Sequence, residues 1–320
     1  AQYIFCTQWG YLGATPDQID FLHYVLMLDS YLKLKPAMPY MRSHEISLAL
    51  VKALRDNGGE IWYNCKAENI IVENGRACGV VVRGREIRAK HVISNWFPDF
   101  ALANLKGGAV PERTLKLINA RKHGRTYVTM YLGLNRSAEE LGIKVYSTFI
   151  MPSPDPKEQW KASFTGNRTV VVNCLNTVIP DSSPEGTCTL FFTAGFPPET
   201  WVNVKPEDYK KKKNEIAEKM ITLYEETLGI TIKPYIEEIA VATPITFARY
   251  LNTPHGTPYG YQIAPWDTMI VRVMNMNNEQ VMPGLRFCGA HGERADGYSE
   301  TYIQGNTAGM LTVKDAKEGK

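Results

Sequence analysis

The segment Pro283 to Val313, PGLRFCGAHGERADGYSETYIQGNTAGMLTV, limits the possible folds more than any other. Leu285 to Cys288 reads as a short apolar strand, Gly289 turns it, and Gly297-Tyr298-Ser299 opens a helix carrying Ile303, Ala308 and Leu311. A strand, a glycine turn and a helix in that order point to a layered α/β architecture. The same order outlines an anion site, because the first N–H groups of a helix lack intrahelical partners and the helix dipole is positive there.

A second unit, residues 47–95, places a helix and a Gly-Gly stop before a series of short strands. Ser43-His44-Glu45-Ile46 opens the helix, Ile46, Leu50, Val51 and Leu54 share a face, and Asn57-Gly58-Gly59 ends it. By themselves the glycines mark only a helix C-terminus. The β-favouring runs Glu60 to Asn64, Asn69 to Glu73, Ala77 to Arg83, Glu86 to Arg88 and His91 to Ser94 are broken by Asn74-Gly75 and Gly84 and predict a small meander. Ahead of this unit, Ile19, Leu22, His23, Leu26 and Tyr31 follow the start signal Thr15-Pro16-Asp17 and predict a buried helix.

Beyond Asn95, helices are predicted near Phe97 to Leu105 and Pro111 to Ala120. Strands are predicted over Thr126 to Leu134, Val145 to Met151, Thr169 to Leu175 and Thr187 to Ala194, forming a mostly antiparallel sheet. Pro206 to Leu228 is a long helix with Ile216, Met220, Leu223 and Leu228 on its apolar face. Its Lys210 to Lys213 run suits a solvated face, with peripheral membrane contact as the weaker reading.

Hydrophobic residues at 44% and a net charge of only +3 exclude a disordered chain and give no basic stripe for nucleic acid. Cys6, Cys65, Cys78, Cys174, Cys188 and Cys288 form no CxxC, so neither a metal site nor a disulfide framework is readable and a reducing cytoplasm is expected. No run of about 18 apolar residues occurs to span a membrane.

A third segment, VATPITFARYLNTPHGTPYGYQIAPW from Val241 to Trp266, is rich in proline and aromatic residues and predicts a stiff loop. With the GGEI strand, the Ile93-Ser94-Asn95 end of the meander and the closing strand–turn–helix, it resembles the phytoene desaturase-like flavoproteins. These are a branch of the flavin amine oxidase group that includes carotenoid isomerases and retinol saturases. The resemblance implies an incomplete Rossmann-like FAD domain joined to a substrate domain of antiparallel sheet and helices. Residues 1–41 would be cap helices, 42–95 an FAD-binding segment, 96–282 the substrate domain and 283–320 the closing FAD-binding segment.

The resemblance also assigns roles. Ala67, Ser94, Gly289, Ala290, Asp296, Gly297, Tyr298 and Ser299 are the candidate FAD contacts. Tyr250, Tyr259, Tyr261 and Trp266 either line an apolar substrate channel or pack a crossover. The turn carries His291, Glu293, Arg294 and Asp296, where relatives have other residues. His291 and Glu300 are therefore the candidate proton donors or bases, set against plain surface and capping roles. No G-x-G-x-x-G occurs in the 320 residues, so a companion chain carrying that half of the FAD domain is expected, in a hetero-oligomer. Two other functions stay open: a non-catalytic carrier of the Rab GDP-dissociation-inhibitor type, which resembles the same architecture, and an amine or amino-acid oxidase.

Overall fold

The computed structural model describes residues 18–165, 169–275, 280–291 and 297–320, together with Tyr3, Phe5, Leu12 and Ala14. Eleven strands are found among these residues, in three sheets. Strands β1 (Ala67–Glu73), β2 (Arg76–Val82) and β3 (Arg85–Arg88) form the antiparallel meander. The two-residue strand β5 (Leu105–Lys106) adds to β1 in parallel, giving the order β3-β2-β1-β5. β4 (Val92–Ser94) does not extend the meander, as the sequence predicts. It pairs in parallel with β11 (Leu285–Phe287), almost 200 residues away, with Ser94 opposite Phe287. Local pattern cannot foresee such a pairing, because a parallel neighbour is always distant in sequence.

Ile70, Val72 and Ala77 share one core with Leu285, Phe287 and with Ala101 and Leu102 of the helix Pro98–Ala103. The Ala77 N–H donates to the Pro283 carbonyl at 2.9 Å and the Val92 N–H to that of Gly284 at 2.8 Å, so the turn into β11 is tied to the meander.

The larger sheet holds β6 (Thr126–Leu134), β7 (Ser147–Ile150), β8 (Val170–Cys174), β9 (Cys188–Phe196) and β10 (Ile236–Ala242), in the order β10-β6-β9-β8-β7. All of its pairings are antiparallel. Alternation sends Val128, Met130, Leu132 and Leu134 to one face with Leu190, Phe192 and Val172. The helix Pro206–Leu228 covers that face through Ile216, Met220 and Tyr224, and the rings of Phe192 and Tyr224 meet edge-on at 5.3 Å. Proline at its first turn and Gly229 in the left-handed region at its end set its limits.

Three local expectations are corrected. The predicted buried helix spans Phe21–Leu34 and buries only His23, while Phe21, Leu32 and Leu34 are exposed; its start is set by Asp20, whose carboxylate accepts from the His23 N–H at 2.7 Å. The expected start signal at residues 15–17 lies outside the described residues. Glu60 to Asn64 forms no strand, and among the described residues no strand lies beside it to pair with its backbone. The stretch read as a stiff loop contains a helix, Pro244–Leu251, started by a capping box in which Thr243 and Thr246 satisfy each other's backbone N–H groups.

Candidate functional site

The turn after β11 and the exit from β4 lie side by side. Ser94 is buried, its carbonyl accepts from the Cys288 N–H at 3.0 Å, and its hydroxyl accepts from the Trp96 N–H at 3.2 Å. Gly289 has φ +96°, and a Cβ there would fall 1.9 Å from the Asn95 side-chain oxygen, so any other residue would have to displace the Asn95 amide and take a backbone conformation that L-residues rarely adopt. His291 follows, 7% exposed, with its ring 5.5 Å from that of Phe97 and 6.1 Å from that of Phe287. Burial pushes its imidazole down to about 4, only partly opposed by the charge of Asp99, so it is neutral near pH 7. Its Nε2 has no hydrogen-bond partner among the described residues.

Residues the sequence reading did not select surround this turn. Asp99 accepts from His123 Nε2 at 3.0 Å and from the Tyr261 hydroxyl. Burial raises the Asp99 carboxyl, but these two hydrogen bonds outweigh it and hold the group below the usual carboxylate range. Tyr261 is buried, and desolvation, then the Asp99 contact, push its phenol up. Behind it Asp267 takes a bidentate contact from Arg121, at 2.8 and 3.0 Å, and a third bond from Arg272 at 2.7 Å.

The helix Tyr298–Lys317 begins at Gly297, with φ +97° and no side-chain cap. Among the described residues, a Cβ added at Gly297 would meet nothing within 4 Å. Twenty residues of helix dipole aimed there suit an electron-rich or anionic group, and in this respect the residues present fit a flavin. Tyr298 and Ser299 are exposed in the first turn. Glu300, half-buried in the same turn, acts electrostatically on His23, whose imidazole is lowered mainly by burial.

The face of the larger sheet opposite its core carries two rows of paired residues. Ala242, Thr129, Thr193, Val171 and Phe149 form one row across its strands, and Ala240, Tyr131, Phe191, Asn173 and Ser147 the next. All ten are half-buried or exposed and none is charged. The Tyr131 and Phe191 rings meet edge-on at 5.4 Å in the middle of the face. The Tyr131 phenol is raised by desolvation and then by the charge of Tyr298.

The other selected residues are dispersed. Ala67 opens β1, half-buried and opposite Val82. Tyr259 is half-buried, its ring 5.1 Å from that of Tyr127. Tyr250 and Trp266 are on the surface, 76% and 51% exposed. Asp296 lies outside the described residues. Among the described residues no group of His, Cys, Asp and Glu is arranged to hold a metal, and no helix is long and apolar enough to cross a membrane.

No known family model matches the chain. Curated relatives do, among them the following three. A chloroplastic prolycopene isomerase of Daucus carota is 30% identical over 256 residues, covering 75% of this chain and 40% of the relative. An all-trans-retinol 13,14-reductase of Danio rerio is 26% identical over 79% of this chain and 45% of its own length. A 4,4'-diapophytoene desaturase of Methylomonas sp is 33% identical over 41% of this chain and 26% of its own length. The chain is a homologue of the phytoene desaturase-like oxidoreductases. It spans less than half the length of these relatives. A solved oxidoreductase from Methanosarcina mazei has the same fold, with a TM-score of 0.61 at 17% identity over 96% of this chain and 63% of its own.

Asp99, His123 and the two uncharged rows of the sheet face left different traces in the sequence of this desaturase homologue. The face was legible in the alternation of Thr129, Tyr131 and Gly133 with apolar neighbours in β6. Asp99 and His123 carry no local signal, since their meaning comes from Tyr261, 162 residues beyond Asp99.

Proposed function

We propose that this chain forms the substrate-facing part of an FAD-dependent oxidoreductase acting on an elongated apolar isoprenoid. The observation that carries the reading is the helix start at Gly297, which has no side-chain cap, together with two uncharged, aromatic-centred rows of the larger sheet whose Tyr131 feels the charge of Tyr298. Its homologues, named as acting on prolycopene, retinol and diapophytoene, support the substrate class. When bound, FAD supplies two-electron hydride chemistry. Ser94, Gly289, Ala290, Gly297, Tyr298 and Ser299 would hold it with backbone groups, Ala67 would contact its adenine end, and Asp296 remains a further candidate. The G-x-G-x-x-G turn is proposed to come from a companion segment.

The chain's own residues then have three tasks. Tyr131 and Phe191 give an apolar substrate a flat, uncharged support and fix its height over the sheet. Replacing water by this surface orients the substrate without a charged anchor, which a hydrocarbon could not use. His291 stays neutral, so its Nε2 presents a polar atom without the cost of a buried charge. Glu300, near the helix start, is the second proton-handling candidate.

The test is to add FAD to the protein, record flavin absorption and fluorescence quenching, and then follow anaerobic bleaching or recovery of the flavin bands with an apolar polyene. Protein that neither quenches nor retains flavin, alone or with its companion segment, would overturn the reading and favour a carrier.

A further inference from the structure

Stretches of chain far apart in sequence meet around Phe97 and Asp99. The Phe97 ring lies 5.0 Å from that of Tyr261, 5.6 Å from that of His123 and 5.5 Å from that of His291. Tyr261 and His123 face each other across an antiparallel bridge. It is closed by the Gly124 N–H donating to the Gly260 carbonyl at 2.7 Å and the Gln262 N–H donating to that of Lys122 at 2.8 Å. Asp99 binds both partners of the bridge, one on each carboxylate oxygen.

The end of the bridge at Gly260 presses on the cofactor turn. Gly260 has φ +72°, and a Cβ there would sit 2.3 Å from the Ala290 carbonyl oxygen and 2.8 Å from the His291 Cα. The other end is anchored separately, since Arg272 donates to the Gln262 carbonyl at 3.1 Å and is itself held by Asp267. Arg121, also on Asp267, lies over the Tyr261 ring at 5.4 Å. Only Asp99, among the described acidic residues, joins the Tyr261 and His123 side chains to the exit of β4, and so to the element that pairs with β11.

We infer that Asp99 is a positioning residue that presses the Ala290–His291 turn into place through Tyr261 and His123. Without the carboxylate, the Tyr261 hydroxyl must seek water, the bridge pivots about its Arg272 end, and the turn loosens, exposing His291. The part of this inference that concerns the cofactor rests on the FAD reading above; the part that concerns the turn does not.

The experiment follows the imidazole titration of His291 by two-dimensional NMR in the full chain, in the parent, Asp99→Ala and Tyr261→Phe. FAD affinity is measured on the same proteins by fluorescence quenching. In the parent, His291 is expected to titrate at about 4. In both variants it is expected to rise toward the ordinary imidazole value of about 6.5, with FAD bound at least about ten-fold more weakly.

Simple electrostatics predicts otherwise, because removing the Asp99 charge alone would lower the imidazole further. A His291 value that falls or stays put in the two variants overturns the inference, whatever FAD does. A rise in His291 with no FAD binding even by the parent would uphold the brace and refute the cofactor reading instead. Tyr261→Phe keeps the ring between Phe97 and Arg121, so it decides the question if Asp99→Ala fails to fold.

Discussion

Acid should destabilise this protein by a specific amount through His291. Its imidazole is held at about 4, against an ordinary 6.5, because it is buried. Above pH 6.5 both folded and unfolded chains carry it neutral, and it contributes nothing to the pH dependence. As pH falls below 6.5 the unfolded chain takes up a proton that the folded chain refuses, and stability is lost at about 1.4 kcal/mol per pH unit. The loss levels off near pH 4, where the folded form also protonates, after about 3 kcal/mol in all. His291→Phe keeps a ring beside Phe97 and Phe287 and removes the titration. Urea unfolding of parent and variant at neutral pH and at about pH 4.5 gives two differences, and the parent should lose about 2.5 kcal/mol more than the variant. The subtraction cancels His23 and His255, whose imidazoles burial also lowers. Parallel stability curves for the two proteins would show that His291 is solvated and that the turn is not packed as described.

Asp267→Ala should cost about 3 to 5 kcal/mol, because it removes the carboxylate that holds Arg121 and the 2% exposed Arg272. Despite the cost of burial, the arginine contacts hold the Asp267 carboxyl below the usual range, so its contribution should be the same at pH 5 and pH 7 and fade only as pH falls below about 4. Thermal unfolding at both pH values checks this. Gly297→Val forces a β-branched residue to φ +97° at a cost of about 1 to 3 kcal/mol and should abolish flavin retention; unchanged flavin content would mean the helix start does not face it. Tyr131→Ala should raise KM for an apolar substrate about ten-fold with kcat little changed, as expected for lost stacking that is equal in ground and transition states. If Glu300 handles a proton, Glu300→Gln lowers the flavin reduction rate about 10²- to 10⁴-fold in stopped flow, whereas a rate within a few-fold assigns it to the helix start alone.

The elements that the sequence determined are those whose partners are close along the chain or whose periodicity is strong. β6 and the helix Pro206–Leu228 have the predicted limits because an apolar face repeated every second or every third to fourth residue has only one way to be buried. The meander of β1 to β3 was legible for the same reason, helped by Asn74-Gly75. The motifs carrying the family resemblance lie in 47–95, Val241 to Trp266 and Pro283 to Val313, where glycine and proline positions are fixed by backbone shape and so show in the residues themselves.

The tertiary structure alone decided which distant residues meet. It paired β4 with β11, added β10 to the edge of the large sheet, and left the apolar side chains of Phe21–Leu34 exposed where helical spacing had predicted burial. It also turned Tyr261, a channel candidate by its neighbours in sequence, into the buried partner of Asp99. An aspartate or histidine has no periodic pattern to reveal a role. Its partners and its reach are set by the groups around it, and Asp99 meets His123 and Tyr261, and His291 meets Phe97, across 24 to 194 positions of sequence.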